Sequence, residues 1–335
     1  MTQSADGGAL PRGLPRALIV AGPTASGKSA LALGLARRLG GTVINADSMQ
    51  LYAGLRVLTA RPTPAEEALV PHRLYGVRPA GEAASVAWWR GRALEEMAAA
   101  RASGRLPILC GGTGLYFLSL TEGLSELPPV PAEARKAARA LLAEIGAPAL
   151  HARLASLDPE TAAGLRPGDS QRLARAWEVL AATGNGLAAW QREGAHSGPA
   201  PWRFAAILLD PPRAALRAAI AARFDAMLAG GALAEVAALG ALGLDPALPA
   251  MRAHGVPELL AHLAGRLPLA AARERAVLNT GQYTKRQATW FRHHRLTHPG
   301  ADPSLTHIIH ARISSQTQFQ ESDAPEIFAF VDRGR

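Results

Sequence analysis

The chain has 335 residues, 48% of them hydrophobic, with a formal net charge of +9 and 36 Lys plus Arg. That length can bury a sizeable core and suggests one large domain with an insertion or two domains, while the absence of any apolar run of about 18 residues argues against a membrane span. The charge favours an anionic partner, nucleic acid or a membrane surface, although a GC-rich genome that writes arginine for lysine has the same effect on composition.

Residues 1–16 hold Gly, Pro and Arg without a long apolar core and read as a flexible tail, not a signal peptide. The apolar run Ala17–Ala21 predicts a strand, and Lys28–Leu39 predicts a helix. Between them stands GPTASGKS, Gly22, Pro23, Thr24, Ala25, Ser26, Gly27, Lys28 and Ser29. Four residues separate its two glycines, so the backbone can curl and aim successive N–H groups at phosphate oxygens. Lys28 adds a point charge, and Ser29 can ligate Mg²⁺. Only Lys28, Lys136 and Lys285 escape the arginine habit, which makes a lysine at this loop look required.

Further strands are expected at Thr42–Asn45, Leu106–Cys110, Phe204–Leu209 and Thr306–His310, with a crossover helix over Ser85–Ser103. The alternation predicts an α/β fold of the P-loop NTPase type, a parallel sheet flanked by helices. Cys110, the only cysteine, reads as a buried small hydrophobe and excludes an internal disulfide or a Cys-based zinc site. From LPPVPAE to GAHSGPAPW the pattern turns helical, with helices over Ala132–Ile145, Pro148–Ser156 and Ser170–Thr183 and no convincing strand. The expected organisation is a tail at 1–16, a discontinuous catalytic core at 17–127 and 204–312, an all-helical insertion at 128–203, and a C-terminal tail at 313–335 with a short helix near Pro325–Asp332. In the second core segment, helices are expected near Pro212–Leu228, Ala232–Leu239, Val256–Ala264 and Leu269–His293.

Ligands of open α/β sheets bind at the carboxyl ends of strands, where Gly22, Asp47 and Gly111–Thr113 would all sit. Asp47, in NADSMQLY, has the chemistry of a general base, of an outer partner of Mg²⁺, or of a cap on a following helix. Gln50 carries the donor and acceptor needed to read an adenine edge. Thr113, in GGTGLYF, either steadies a phosphate oxygen or caps its helix. Arg172 and Arg175, in DSQRLARAWEVL, share a helix face suited to phosphates, or form an ordinary solvated basic face. Arg223 either returns a guanidinium to the phosphate site or bridges to Asp210 or Asp225. In QYTKRQATWFRHHR, basic residues interleave with Trp290 and Phe291, as nucleic-acid binding would use them. The helical spacing of Tyr283, Gln287, Trp290 and Phe291 turns the aromatics inward.

Taken together, GPTASGKS, NADSMQLY, PHRLYGV, GGTGLYF, DSQRLARAWEVL, MRAHGVPE and TKRQATWFR resemble the tRNA dimethylallyltransferase family in order and spacing over roughly residues 17 to 295. The resemblance implies an enzyme that moves the prenyl group of dimethylallyl diphosphate to N6 of adenosine 37, beside the tRNA anticodon, with Mg²⁺. It implies Asp47 as general base, with Lys28, Thr113 and Arg223 stabilising the departing diphosphate and Ser29 on the metal. It implies that Asp47, Ser48, Met49, Gln50 and Thr113 meet the extruded adenine. Arg135, Gln171, Arg172, Leu173, Ala174 and Arg175 would grip the anticodon stem-loop, and Arg252, Lys285 and Arg286 would hold it from the other side. The chain departs from the family where Gly281 replaces a frequent arginine, and in Gly255-Val256-Pro257-Glu258, which lacks the tyrosine and basic residue of a common version. A cytoplasmic monomer with no membrane partner is expected. The alternative is a P-loop small-molecule or nucleoside kinase, which would share the loop and the strand-end aspartate.

Overall fold

The computed structural model describes residues 13–193, 196–313 and 324–333. In chain order the elements are β1 (Arg16–Ala21), α1 (Lys28–Leu39), β2 (Gly41–Asn45), α2 (Pro64–Leu69), β3 (His72–Arg73), α3 (Val86–Ala102), β4 (Leu106–Gly111), α4 (Gly114–Thr121) and β5 (Leu124–Ser125). There follow α5 (Ala132–Leu157), α6 (Pro159–Ala163), α7 (Ser170–Thr183), α8 (Leu187–Glu193), β6 (His196–Ser197) and β7 (Arg203–Leu209). The chain closes with α9 (Arg213–Ala229), α10 (Ala232–Gly240), α11 (Val256–Leu263), α12 (Leu269–His293), β8 (Thr306–Ile309) and α13 (Ala324–Arg333).

Six strands form a sheet in the order β3-β2-β4-β1-β7-β8, parallel throughout. β1 is flanked by β4 on one side and β7 on the other, so the chain reverses direction across the sheet at the strand that leads into the phosphate loop. Strand periodicity divides the core. Ala17, Ile19, Ala21, Leu109, Ala206 and Leu208 face one apolar layer with Trp89 and Phe117, while Leu18, Val20, Ile108, Cys110 and Ile207 face the other with Leu31 and Leu35. Because both faces are covered, these strands read as continuous apolar runs in the sequence.

A third apolar cluster joins Tyr52, Leu55 and Leu58 to α9–α12. It fixes the segment after β2 against the C-terminal helices, whose ends reach the phosphate loop. The short helix expected near Pro325–Asp332 in the C-terminal tail stands as α13, and its Ile327, Phe330 and Val331 are buried in the layer of α1, against the sheet. The remainder of that predicted tail, 314–323 and 334–335, and most of the N-terminal one, 1–12, lie outside the described residues.

The second compact unit is Gly123–Gly198, not 128–203. The difference lies in a short antiparallel pairing, Leu124 with Ser197 and Ser125 with His196, too brief to leave a periodic signal. α5 holds the two expected helices, separated at Gly146, whose φ of 77° breaks the helical path before Pro148. Leu150, Leu154, Leu173 and Ala176 form the unit's own core.

Gly111 ends β4 where the strand passes under the turn after β2. A Cβ there would lie 2.0 Å from the Ala46 carbonyl oxygen, which is backbone and cannot step aside. Gly111→Ala is expected to cost about 3 kcal/mol in urea unfolding.

Candidate functional site

The site stands at the carboxyl end of the sheet. After β1 the loop Gly22–Ser29 turns sharply, with Ser26 N–H donating to the Pro23 carbonyl at 3.2 Å and both Ala25 (φ 66°) and Gly27 (φ 95°) in the left-handed region. Gly27 is the N-cap of α1 and offers no side chain, so the first-turn N–H groups of α1 depend on the loop or on an anion. Ser26 Oγ is buried with no hydrogen-bond partner among the described residues. A phosphate oxygen would satisfy both deficits.

Lys28 is buried, its Nζ 3.4 Å from the Pro23 carbonyl. Burial lowers its pKa and the Asp47 carboxylate offsets part of that shift. Arg223 on α9 lies close to the same carboxylate; burial lowers its pKa too, Asp47 opposes the shift and Arg312 adds to it. The competing reading of Arg223 does not hold. Asp225 is bidentate to Arg273 at 2.7 Å, and Asp210 pairs with Arg292 at 3.1 Å.

Asp47 is held by its neighbours before it does any chemistry. Its N–H donates to Asn45 Oδ1 at 2.8 Å, Asn45 Nδ2 donates back to its carbonyl at 2.9 Å, and Met49 N–H donates to Asp47 Oδ1 at 3.0 Å. The carboxylate therefore caps a turn; no helix follows it. Thr113 starts α4 without capping it and instead accepts the Ser48 N–H at 3.0 Å, while its own N–H reaches the Ala46 carbonyl at 3.2 Å. The loops after β2 and β4 are thus one hydrogen-bonded unit. Gln50 differs from expectation, because its Nε2 is spent on the Thr59 and Ala60 carbonyls, each at 2.9 Å, and the donor needed to read a base edge is gone.

Gln287, on α12, completes the frame. It is buried, accepts Thr24 N–H at 2.9 Å and Thr24 Oγ1 at 3.0 Å, and donates to the Gly112 carbonyl at 2.9 Å. It shares a helical face with Tyr283, Trp290 and Phe291, and nothing in its local sequence states its task. Asn45 was likewise missed, although a polar residue closing a wholly buried strand was its signal. His254 and Tyr283 were missed as site residues as well: their rings lie 4.7 Å apart, and with Asp47, Met49, Arg223 and Thr280 they line a small cavity of about 60 Å³. Burial lowers the His254 pKa, with Glu258 opposing, so the ring enters this wall as the neutral imidazole at pH 7.

On the other side of the loop, a larger cavity of about 580 Å³ is lined by Lys28, Ser29, Tyr75, Arg223 and Arg312. The Ser29 hydroxyl bonds the Cys110 thiol, whose pKa burial pushes up to about 11, so the thiol is inert at neutral pH. Among the described residues no three His, Cys, Asp or Glu side chains converge as a metal cluster. One serine hydroxyl with substrate oxygens suits Mg²⁺, which keeps several waters and takes few protein ligands.

Of the basic residues, Arg252, Lys285 and Arg286 are exposed, and Lys285, Arg286, Trp290 and His294 border an open groove along α12. Trp290 stacks on His294 at 4.1 Å and covers Gly114. Gly281 leaves open space where a side chain would stand. In the second unit Arg135, Gln171 and Arg172 are exposed and Arg175 pairs with Glu178 at 3.2 Å. Leu173 and Ala174, expected to meet a partner, are buried instead, since they lie on the inner face of α7.

A family model described as IPP transferase matches residues 50–294, and one described as isopentenyl transferase matches 15–77. The chain is 60% identical to a tRNA dimethylallyltransferase of Acidiphilium cryptum over 99% of each chain. It is 61% identical to another of Rhodospirillum centenum, over 82% of this chain and 88% of that one. Among solved structures, the tRNA isopentenylpyrophosphate transferase of Bacillus halodurans is similar with a TM-score of 0.64 at 29% identity, covering 95% of this chain and 97% of the other. A eukaryotic dimethylallyltransferase acting on tRNA shares the fold, with a TM-score of 0.73 at 22% identity over 94% of this chain and 78% of that one.

Removing the Gln287 amide strands Thr24 N–H and the Gly112 carbonyl together. Gln287→Ala should cost about 3 kcal/mol in urea unfolding and speed amide hydrogen exchange selectively in Gly22–Ser29.

Proposed function

The chain belongs to the IPP transferase family, and from that premise we propose that it transfers the dimethylallyl group of dimethylallyl diphosphate to N6 of adenosine 37, beside the tRNA anticodon, releasing diphosphate. The observation that carries this reading is the pairing of a polyphosphate loop with Asp47, fixed by Asn45 and Met49 at the wall of a small cavity. A kinase needs the same loop, but has little use for the groove formed by Lys285, Arg286 and Trp290. The reading places the protein in the cytoplasm with tRNA, and no described helix is long and apolar enough to cross a membrane.

The chemistry follows from charge. As the C1–O bond of the donor breaks, negative charge collects on diphosphate and positive charge spreads over the allylic carbons. Lys28, Arg223 and the uncapped N–H groups of α1 face the first change, in surroundings that hold little water, where each donor counts for more. The N6 amine attacks C1 and must shed a proton. The Asp47 oxygen left free by the Met49 bond accepts it. Mg²⁺, held at Ser29, would add charge to the leaving diphosphate. Met49 and the neutral His254 with Tyr283 supply the apolar and aromatic wall for an extruded base.

With labelled dimethylallyl diphosphate, Mg²⁺ and unmodified tRNA, label should enter RNA. Transfer of phosphate from ATP without prenyl transfer would overturn the proposal in favour of the kinase. Asp47→Asn keeps the Met49 turn, since an amide oxygen accepts the same bond. It should retain diphosphate and tRNA binding while losing about 10²–10⁴-fold in turnover; turnover near wild type would leave Asp47 as a turn cap alone.

Arg172 and Arg175 are proposed to grip phosphates of the anticodon stem-loop. Replacing both by alanine should weaken tRNA binding and flatten its log K against log salt slope by about 1 to 2, the lower figure reflecting the Arg175–Glu178 pair. An unchanged slope returns both to a solvated face.

A further inference from the structure

β1, β2 and β4 lead at their carboxyl ends to the phosphate loop, Asp47 and Thr113, and the chain after β8 reaches the same loop. Three residues beyond β8, Arg312 donates its Nε–H to the carbonyl of Ala25 in the phosphate loop at 3.0 Å, and Ile313 N–H donates to the Ser26 carbonyl at 3.1 Å. The fit is close: a Cβ on Gly27 would lie 1.9 Å from the Ile313 carbonyl oxygen. The segment is therefore moulded onto the loop, and Gly27 is glycine partly on its account.

The hydrogen bond to Ala25 uses only one edge of the guanidinium. Arg312 borders the same cavity as Lys28, Ser29 and Arg223, it is half-buried, and no carboxylate among the described residues pairs with it. Its proximity also raises the cost of charging Arg223. Around that cavity Lys28, Arg56, Arg61, Arg223 and Arg312 meet a single carboxylate, Glu66, and Glu66 is committed to capping α2 through Thr63. Arg56 has its own partner in Glu67 at 3.4 Å. Arg61 is influenced by Glu67 and Glu235, which leaves Lys28, Arg223 and Arg312 at the phosphate loop with Asp47 opposing them. Two arginines crowded beside a buried lysine carry an electrostatic cost that a multiply charged anion between them relieves.

We propose that Arg312 is a diphosphate-binding residue: oriented by Ala25, it presents its two Nη groups to the oxygens of the departing diphosphate, opposite Lys28 and Arg223. The assignment rests on the function proposed above and adds to it a residue from beyond the family-model match, which ends at residue 294. It also gives the leaving group a planar, forked donor in addition to the point charge of Lys28.

The test uses the full chain and inorganic pyrophosphate as probe, with calorimetric Kd, steady-state kinetics and tRNA binding. Arg312→Gln should weaken pyrophosphate about tenfold or more and raise KM for dimethylallyl diphosphate in step, with tRNA Kd unchanged. Arg312→Lys, which keeps the charge but loses the Nε bond to Ala25, should recover much of the loss. Pyrophosphate affinity within twofold of wild type in a folded Arg312→Gln overturns the proposal. So does an Arg312→Lys as weak as Arg312→Gln, since Arg312 would then be a strut for the loop. Failure of the wild-type protein to bind pyrophosphate would overturn the reading of the function itself, and this proposal with it.

Discussion

The buried amide of Gln287 is the contact on which the geometry of the site depends. Three loops leave the sheet at neighbouring strand ends, and backbone pairing within the sheet fixes only where they start. Gln287 joins the phosphate loop to the β4–α4 loop by serving Thr24 and Gly112 at once, and Thr113 then passes the constraint to Ser48, beside Asp47. An amide suits this position because it donates and accepts in one plane and carries no charge. A carboxylate would lose the Gly112 bond, and a lysine the two from Thr24. The same contact locks α12 to the sheet, so the helix bearing Lys285, Arg286 and Trp290 takes its position from the site that it serves.

Around this frame the electrostatics are deliberately unbalanced. Surface arginines find carboxylates, as Arg273 does with Asp225 and Arg292 with Asp210, and such exposed pairs contribute little to stability. At the phosphate loop Lys28 is buried, Arg223 and Arg312 are half-buried, and Asp47 is the one carboxylate among them. Burying Lys28 and Arg223 costs stability in the free protein. That cost is offset when an anion arrives, so the site is built to bind charge that its own residues do not supply.

The sheet was legible because strands covered on both faces leave unbroken apolar runs, and all five of the expected strands form, with β8 ending one residue early. Helices announced by caps were legible for a similar reason: Ser85 caps α3 as its sequence suggests, and Gly40 closes α1. What escaped were elements defined by partners distant in the chain. β3, two residues long, exists because Val43 and Ile44 pair with it, and the β5–β6 ladder joins residues more than seventy apart. Site residues divide along the same line. Lys28, Asp47 and Thr113 sit in local patterns that place them at the carboxyl end of the sheet, whereas Gln287 and His254 meet their surroundings only when another element folds over them. Gln50, Leu173 and Ala174 show the reverse error, for a residue type suited to a contact can already be spent on the protein's own backbone or core.

The phosphate loop by itself is indifferent to what happens to the phosphate it holds. In an NTPase or kinase the group that moves is phosphoryl, and the loop must stabilise charge as a P–O bond breaks. Here Asp47, the proposed general base, stands with Arg223 at the wall of a cavity bordered by Met49, His254 and Tyr283, a largely apolar and aromatic surface that suits a prenyl group or a base. Lys28 and Arg312 lie at the larger cavity, and Arg223 borders both. With Asp47 and the aromatic rings at one cavity, Lys28 and Arg312 at the other and Arg223 at both, the proposed reaction has carbon and nitrogen chemistry on one side of Arg223 and diphosphate on the other. On that proposal diphosphate is the leaving group and carbon the atom transferred.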